Sequence, residues 1–473
     1  MSEPRLLEAT RQALARLGAD PPNWVAPSAA DHDVLVVGAG QAGLAIGFAL
    51  RRAGIARFSL IDAAPSGAEG VWTTCARMHW LRTPKTLPGP ELGIPELTFQ
   101  AWHEARHGAA AYAALDRIPR RDWAAYLAWY RAVLALPVRN DTQATAITPR
   151  ADGLIAVRLA TPGGAREETC RKLVLATGMM GSGGPLVPPG IAAALPPARF
   201  SHTEDAIDFG ALRGQRVAVL GAASSAFDAA GVALESGAAS VDLFCRHADL
   251  QRSAPMRTLS YAGAAEHYAS LPDADRWRIM RHVRARASGP MPETVRRVTR
   301  HANFRLHLGA APLAVAAVGA RVSLRAPRFD GVVDHLILGT GYRVALDLRP
   351  ELAGIAAAAA LWRDRYTPPP AEADAALAGQ PYLADDYSFT PRAPGGEAWL
   401  GDVHLFGVGG LLSHGKHLGE IASLQHGVPR LVAALGRALF LRDRAAQLAR
   451  ILGAAQPHLA AEDYAASLAG AAA

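Results

Sequence analysis

Lysine is almost missing from this 473-residue chain: Lys85, Lys172 and Lys416 are the only three. Lys and Arg together still number 49 against 42 acidic residues, so arginine carries nearly all the positive charge and the net charge is +7. The arginines are scattered, without an aromatic-interleaved run, which argues against a nucleic-acid surface despite the basic balance. Cysteine is equally scarce. Cys75, Cys170 and Cys245 form neither a CxxC pair nor a ligand cluster, which argues against a disulfide framework, a zinc site or a dithiol redox centre and for a reducing compartment. No metal is expected. Long apolar runs are missing too: Val34 to Leu50 falls short of the ~20 residues of a membrane span and is broken by Gly38, Gly40, Gln41 and Gly43. The opening residues, MSEPRLLEATRQALARLG, are charged throughout and do not read as a signal peptide. A soluble, cytoplasmic protein with no membrane or nucleic-acid partner is expected, and its oligomeric state is left open.

What is present is a globular composition, 50% hydrophobic and 19% charged, long enough for about three domain-sized units. Residues 3 to 18 have an amphipathic pattern, with Leu6, Leu7, Leu14 and Leu17 on one side. The strongest local signal follows. Val34 to Val37 reads as a buried parallel strand entering Gly38-Ala39-Gly40-Gln41-Ala42-Gly43, then a helix to Arg52, then a second apolar run, Phe58 to Ile61, ending at Asp62. In this context each residue has a physical task. Gly38 makes the tight turn, Gly40 lets a pyrophosphate approach the backbone, and Gly43 lets helix and strand pack closely. The helix N-terminus faces the phosphates, and Asp62 accepts from a ribose hydroxyl.

A second unit of the same kind begins at Gln215: RVAVLGAASSAFDAAGVALESGAASVDLFCRH. Gly221 remains, Ala223 and Ala226 replace the other two glycines, and Ser224 and Ser225 open the helix. Arg246, twenty residues past Ala226, takes the place that Asp62 holds in the first unit. An acid there suits a free ribose hydroxyl and an arginine suits a 2′-phosphate, so the second unit is expected to hold NADPH.

Leu173 to Gly178 and His335 to Tyr342 both read as strands ending in a small-Thr-Gly turn, the second containing Thr340 and Gly341. Their echo suggests that the chain crosses between two domains twice. The first unit is expected to hold an unphosphorylated adenine dinucleotide, and the expected fold is α/β, two Rossmann-like dinucleotide-binding domains with the NADPH domain inserted into the first. Residues 1–30 would be an N-terminal helical extension and 31–180 the first part of the first dinucleotide domain. Residues 181–335 would be the NADPH domain, with a helical insertion at about 252–300. Residues 336–473 would complete the first domain, the FAD domain of the resemblance given below, and add C-terminal helices. Trp123, Tyr126, Leu127, Tyr130 and Leu134 lie at helical spacing and are expected to be core.

Two such units in one chain resemble the class B flavin monooxygenases, the group of flavin-containing, N-hydroxylating and Baeyer–Villiger monooxygenases. Gly70-Val71-Trp72 is similar to the family's glycine-tryptophan segment, and Leu81 to Lys85 lies where the family runs a loop under the flavin. HLFGVGGLLSHGKHLGEI, with Gly409 and Leu412, is similar to the segment passing the flavin ring, and GPELGIPELTFQAWHEA resembles bacterial members of the group. The family fingerprint, Phe-x-Gly-x-x-x-His and then Trp or Tyr, survives only as His202, with Pro196, Ala198 and Ala206 at the other places. The resemblance implies FAD and NADPH as cofactors, O2 and a small organic molecule as substrates, and oxygenation through a C4a-(hydro)peroxyflavin. It points to Trp72 beside FAD and to Arg82, Thr83 and His202 as catalytic candidates, His202 being equally a brace for the interdomain linker. Oxygenation of nitrogen or sulfur is the expected chemistry. Baeyer–Villiger oxidation of a ketone is one alternative, and an NADPH-oxidising flavoprotein sensor or partner without oxygenation is another.

Overall fold

The computed structural model describes residues 2–286, 288–453, 458–465 and 467–468. Two parallel sheets dominate it, and both follow one plan. The first runs in space Val138–Arg139, Phe58–Ile61, His32–Val37, Gly164–Leu175, Val403–Leu405. The second runs Phe304–His307, Ser240–Phe244, Arg216–Leu220, His335–Leu338, Phe200–His202. Each is a doubly wound sheet whose first strand sits near the middle and feeds a glycine turn and a helix, Gln41–Arg52 in one and Ser224–Glu235 in the other. The central strands read as continuous apolar runs because both their faces are covered: Val34, Leu35, Val36, Val217, Ala218 and Val219 are fully buried. Each unit also carries an antiparallel meander ahead of its fourth strand. In the first it is Gln143–Pro149 and Ile155–Thr161 running into Gly164–Leu175, and in the second it is Ala314–Val318, Arg321–Ala326 and Phe329–Val333.

The chain passes between the sheets through two segments that pair with each other. Gly183–Pro185 and Tyr342–Val344 form a short antiparallel ribbon, Tyr342 opposite Pro185 and Val344 opposite Gly183. The strand His335–Leu338 lies inside the second sheet, between Phe200–His202 and Arg216–Leu220. The return to the first sheet therefore follows Leu338 and does not begin at 336, as the sequence pattern suggested. The apolar strand looked like a first-sheet element because it repeats the sequence of Leu173 to Gly178.

The N-terminal helix, Glu3–Arg16, buries Leu6 completely, whereas Leu17 stands outside the helix and is exposed. The aromatic stripe of the helix Arg120–Val133 is core, with Trp123, Tyr126 and Tyr130 buried among Phe99 and Trp102. Between 252 and 300 the chain forms the helices Ala262–His267, Asp273–Arg286 and Pro292–Thr299. Among the described residues no helix is long and apolar enough to cross a membrane.

The glycines of the first turn separate into packing and non-packing positions. Gly38 has φ +104° and passes so close to the end of the fourth strand that a Cβ would lie 2.4 Å from the Ala176 carbonyl oxygen. A Cβ on Gly43 would lie 1.9 Å from the Gly38 carbonyl oxygen, a backbone atom that cannot step aside. Gly43→Ala should therefore push the helix off the sheet and destabilise the protein by about 2–3 kcal/mol, in the range for overpacking. Thermal unfolding with and without added FAD is the check, and an unchanged midpoint without FAD would contradict the packing role.

Candidate functional site

The carboxyl ends of the first sheet's strands open onto a cavity of about 580 Å3. Six of the sequence-predicted residues line it: Gly38, Gly40, Asp62, Trp72, Arg82 and Thr83. Gly43 lies just beneath, inside the helix. Asp62 follows the second strand. Its Oδ2 accepts from the Ala39 N–H at 2.8 Å and its Oδ1 from the Ala64 N–H at 2.9 Å. Burial raises the carboxyl above its ordinary range, opposed by those two N–H donors. Trp72 meets Trp123 edge to face at 6.5 Å between ring centroids, and the Trp123 indole N–H donates to Gln41 Oε1 at 3.1 Å. Gln41 in turn donates to the Gly419 carbonyl at 2.7 Å, which closes the cavity's rim around the helix N-terminus.

These features fit an adenine dinucleotide. Gly40 is the N-cap of the helix Gln41–Arg52 with an unstrained φ of −67°, and a Cβ there would meet no atom nearer than 3.6 Å, Gly70 Cα. Nothing in the protein itself requires glycine at 40, whereas a phosphate lying on the first N–H groups of the helix would. Leu81, Ile147, Leu352, Phe406 and Ile421 give the cavity apolar walls of the kind that hold an aromatic ring system.

Several wall residues escaped the sequence reading. Thr142 and Gln143 come from the start of the antiparallel meander, Glu204 from the entry to the second sheet, Arg349 and Glu351 from a short turn, and His417 from the C-terminal half. Arg349 and Glu351 form an ion pair at 2.6 Å. Glu204 accepts from the Tyr342 hydroxyl at 2.9 Å, and burial raises its carboxyl. Burial lowers the His417 imidazole. Thr177-Gly178, at the small-Thr-Gly strand end, and His417, inside the segment similar to the one passing the flavin ring, carried sequence signals that could have placed them here. Gly409 and Leu412 do not line the cavity. Leu412 is fully buried against Trp277 and Trp362, and a Cβ on Gly409 would lie 2.7 Å from Leu405 and 2.8 Å from Ser182. The segment that contains them does border the cavity, but through Phe406 and the run from His417 to Ile421. The chain folds into two one-turn helices in between, and these displace the expected register.

His202 is also away from the cavity. It is 2% exposed, its Nδ1 accepts from the Glu204 N–H at 3.2 Å, and its Nε2–H donates to the Gly341 carbonyl at 2.9 Å. Both ring nitrogens are committed to backbone, so the residue braces the crossing of the two linkers and is not placed to touch a substrate. Arg82 straddles the domains. It lines the cavity and pairs with Asp228 of the helix Ser224–Glu235 at 3.1 Å.

The remaining candidates gather at the carboxyl edge of the second sheet. Gly221, φ +124°, repeats the first turn: a Cβ there would lie 2.1 Å from the Gly339 carbonyl oxygen. Arg246 follows the neighbouring strand Ser240–Phe244, is exposed, and has no carboxylate partner among the described residues; its Nε lies 3.3 Å from His247 Nε2. Ser225 is half-buried in the first turn of the helix. Three others are engaged by the protein itself, contrary to the expectation that they are free for cofactor. Ser224 Oγ accepts from the Met291 N–H at 3.1 Å, the Thr340 hydroxyl donates to the Leu186 carbonyl, and the Gly341 carbonyl accepts from both His202 and the Leu186 N–H.

The contrast between Gly40 and Gly43 gives a direct test of the cradle. Gly40→Ala should leave the thermal midpoint of the FAD-free protein within about 0.5 kcal/mol of the original while weakening FAD binding about tenfold or more, as expected when a methyl group displaces a phosphate from its hydrogen-bond donors. Titration of the FAD-free protein by flavin fluorescence measures it. Unchanged affinity would place the phosphates elsewhere.

A family model described as FAD-NAD(P)-binding matches residues 35–180. An FAD-dependent urate hydroxylase of Xanthomonas campestris pv. campestris is 42% identical over 458 residues, covering 96% of each chain. Among solved structures, an ornithine N-hydroxylase of Kutzneria sp. 744 superposes with a TM-score of 0.67 at 19% identity, covering 86% of this chain and 99% of its own. An L-lysine 6-monooxygenase of Pseudomonas syringae gives 0.64 at 22% identity, with 86% and 99% coverage. At those identities the two N-oxygenating enzymes share the fold and nothing further. The preference for nitrogen or sulfur oxygenation expected from the sequence is therefore unsupported, since the relative matched along its whole length is named for urate hydroxylation. Two dinucleotide turns on two sheets, an FAD cradle and this relative have one common reading: the chain belongs to the class B flavin monooxygenases and is an FAD-dependent oxygenase.

Proposed function

We propose that the protein uses NADPH and O2 to hydroxylate urate, or a closely related oxopurine, at carbon. The observation that carries the substrate is the 42% identity to a urate hydroxylase over 96% of both chains. The observation that supports NADPH over NADH is Arg246, an exposed guanidinium at the strand end where the first unit has Asp62. Bound FAD supplies the chemistry that side chains lack, taking electrons from the nicotinamide and activating dioxygen.

The chain's own residues bind, orient and shield. The N-terminus of the helix Gln41–Arg52 and Gly40 receive the FAD pyrophosphate, and Asp62 accepts from its ribose. Ser225 and the turn at Gly221 receive the NADPH pyrophosphate, and Arg246 pairs with its 2′-phosphate. The apolar wall from Leu81, Ile147, Leu352 and Phe406 keeps water from the reacting centre. Urate loses a proton readily and presents a flat, anionic ring rich in donors and acceptors. Arg82 and Arg349 put two guanidinium groups on the cavity wall, each already facing one carboxylate, Asp228 or Glu351. Arg82 supplies the positive charge beside the substrate and Thr83 a hydroxyl on the same strand. His202 acts at a distance, as a positioning residue for the linkers.

Two measurements test this reading. The flavin-loaded enzyme should consume NADPH and urate in equal amounts under air, leaving little peroxide, and ornithine or lysine should not stimulate it. Peroxide equal to the NADPH consumed, with urate untouched, would overturn the urate assignment. Arg246→Ala should weaken NADPH binding by about 10–100-fold, the loss of one charge-assisted phosphate contact, and leave NADH almost unaffected. Anaerobic reduction of the flavin by each nucleotide reports it, and an equal effect on both would remove Arg246 from the 2′-phosphate.

A further inference from the structure

Away from both nucleotide units, three side chains with metal-ligating atoms meet. His103 and His107 lie one turn apart on the helix Phe99–His107, and Asp122 stands in the first turn of the helix Arg120–Val133. One ligand atom from each can be chosen so that all three lie within 4.8 Å of one another. The pair at i and i+4 presents two imidazoles on one helix face, the arrangement by which a helix offers two nitrogens to a single ion.

His103 gives the second, independent sign. It is 96% buried, since only 4% of its surface is exposed, yet among the described residues neither ring nitrogen has a hydrogen-bond partner. Nδ1 is buried and unpaired, and Nε2 stops 3.9 Å from Asp122 Oδ2, beyond hydrogen-bond distance. A buried imidazole left like this is costly, and such groups usually have a partner. The 3.9 Å gap is slightly longer than the roughly 3.3–3.4 Å that separates two ligand atoms each about 2.0–2.1 Å from a tetrahedral ion. The His103 and His107 rings already lie 4.6 Å apart between centroids. Lys85, a cation that acts on His103, is occupied: its ammonium donates to the Tyr112 and Ala113 carbonyls at 2.8 and 3.2 Å.

We propose that His103, His107 and Asp122 bind one divalent ion of the zinc type. Two imidazole nitrogens and one carboxylate oxygen suit a borderline ion and not calcium or magnesium, which take oxygen donors. Three protein ligands leave a fourth position for water. The ion ties the helix Phe99–His107 to the helix Arg120–Val133 one residue before Trp123, whose indole N–H holds Gln41 at the mouth of the FAD cavity. It is thus a clamp on the cavity's outer wall, remote from the redox chemistry. Sequence reading passed it over because the ligands come from two segments and the His-x-x-x-His spacing has no cysteine beside it.

The test uses the untagged, flavin-loaded enzyme, stripped with EDTA and then titrated with Zn2+ against a chromophoric chelator, and separately with Co2+. The expected result is one equivalent of Zn2+, a higher thermal midpoint, and the intense visible absorption of four-coordinate Co2+. His107→Ala and Asp122→Asn, both at positions open to solvent, should weaken Zn2+ by about tenfold or more with FAD content unchanged. His103→Gln, close in size to the buried ring it replaces, should weaken Zn2+ to the same degree. Absence of a stoichiometric site in the wild-type protein, or wild-type affinity in both solvent-side variants, overturns the proposal.

Discussion

Both nucleotide units depend on one contact, the glycine turn after the first strand lying directly on the backbone at the end of the fourth. Gly38 on the Ala176 carbonyl and Gly221 on the Gly339 carbonyl leave no room for a side chain, and both adopt a φ that favours glycine. That approach sets where each helix begins, and so where its free N–H groups point. It also brings the small-Thr-Gly turn beside the phosphate cradle. The second and third glycine positions are where the two turns differ, Gly40 and Gly43 in the first against Ala223 and Ala226 in the second. In the first unit a Cβ on Gly43 would strike the Gly38 carbonyl oxygen at 1.9 Å. In the second, Ala226 carries the methyl and Gly339 is small, with a Cβ there only 2.5 Å from that of Ala226. The second unit thus keeps its turn through Gly221 and through the small Gly339 that faces Ala226.

The two units are joined by more than the paired linkers. Asp228 is almost completely buried on the helix Ser224–Glu235, and burial raises its carboxyl, opposed by Arg82 and Arg297. Arg297 Nη1 lies 3.6 Å from Asp228, and its Nε and Nη2 grip Glu235 at 2.9 and 2.6 Å. It also donates to the Arg77 carbonyl at 2.7 Å, while Arg77 itself holds the Thr203 and Asp205 carbonyls. A buried carboxylate with two guanidinium partners is costly to separate, because either half is then left desolvated and unpaired. Arg82 is the member of this network that also faces the FAD cavity. The charge on the cavity wall is therefore tied to the position of the helix that carries the second nucleotide turn.

How far the sequence could be read follows from how local each constraint is. The glycine turns were legible because a strand, a turn and a helix N-terminus within about 30 residues determine them, and the same spacing sets Asp62 and Arg246 at the ends of the neighbouring strands. The aromatic stripe from Trp123 to Tyr130 was legible because helical spacing and burial agree. His202 could be seen as a fingerprint remnant, but its task rests on two backbone partners, one of them 139 positions away at Gly341. Gly409 and Leu412 were misplaced because the segment between Phe406 and His417 turns twice in short helices, and no periodicity records such turns. Thr142, Glu204 and Arg349 carried no motif at all.

That last group explains why an FAD- and NAD(P)-binding framework could be read from the sequence and the substrate could not. The cofactor cradles are backbone, and backbone demands glycine at fixed offsets. The rest of the cavity wall is side chains from separate short stretches around 82–83, 142–147, 204, 349–352 and 417–421, none with a regular pattern of its own. A substitution in any of them can change what fits without disturbing a glycine turn or a sheet. The same architecture therefore persists at 19% and 22% identity in enzymes named for ornithine and lysine. Substrate choice in this fold is held in the irregular segments and is separable from the dinucleotide framework that carries them.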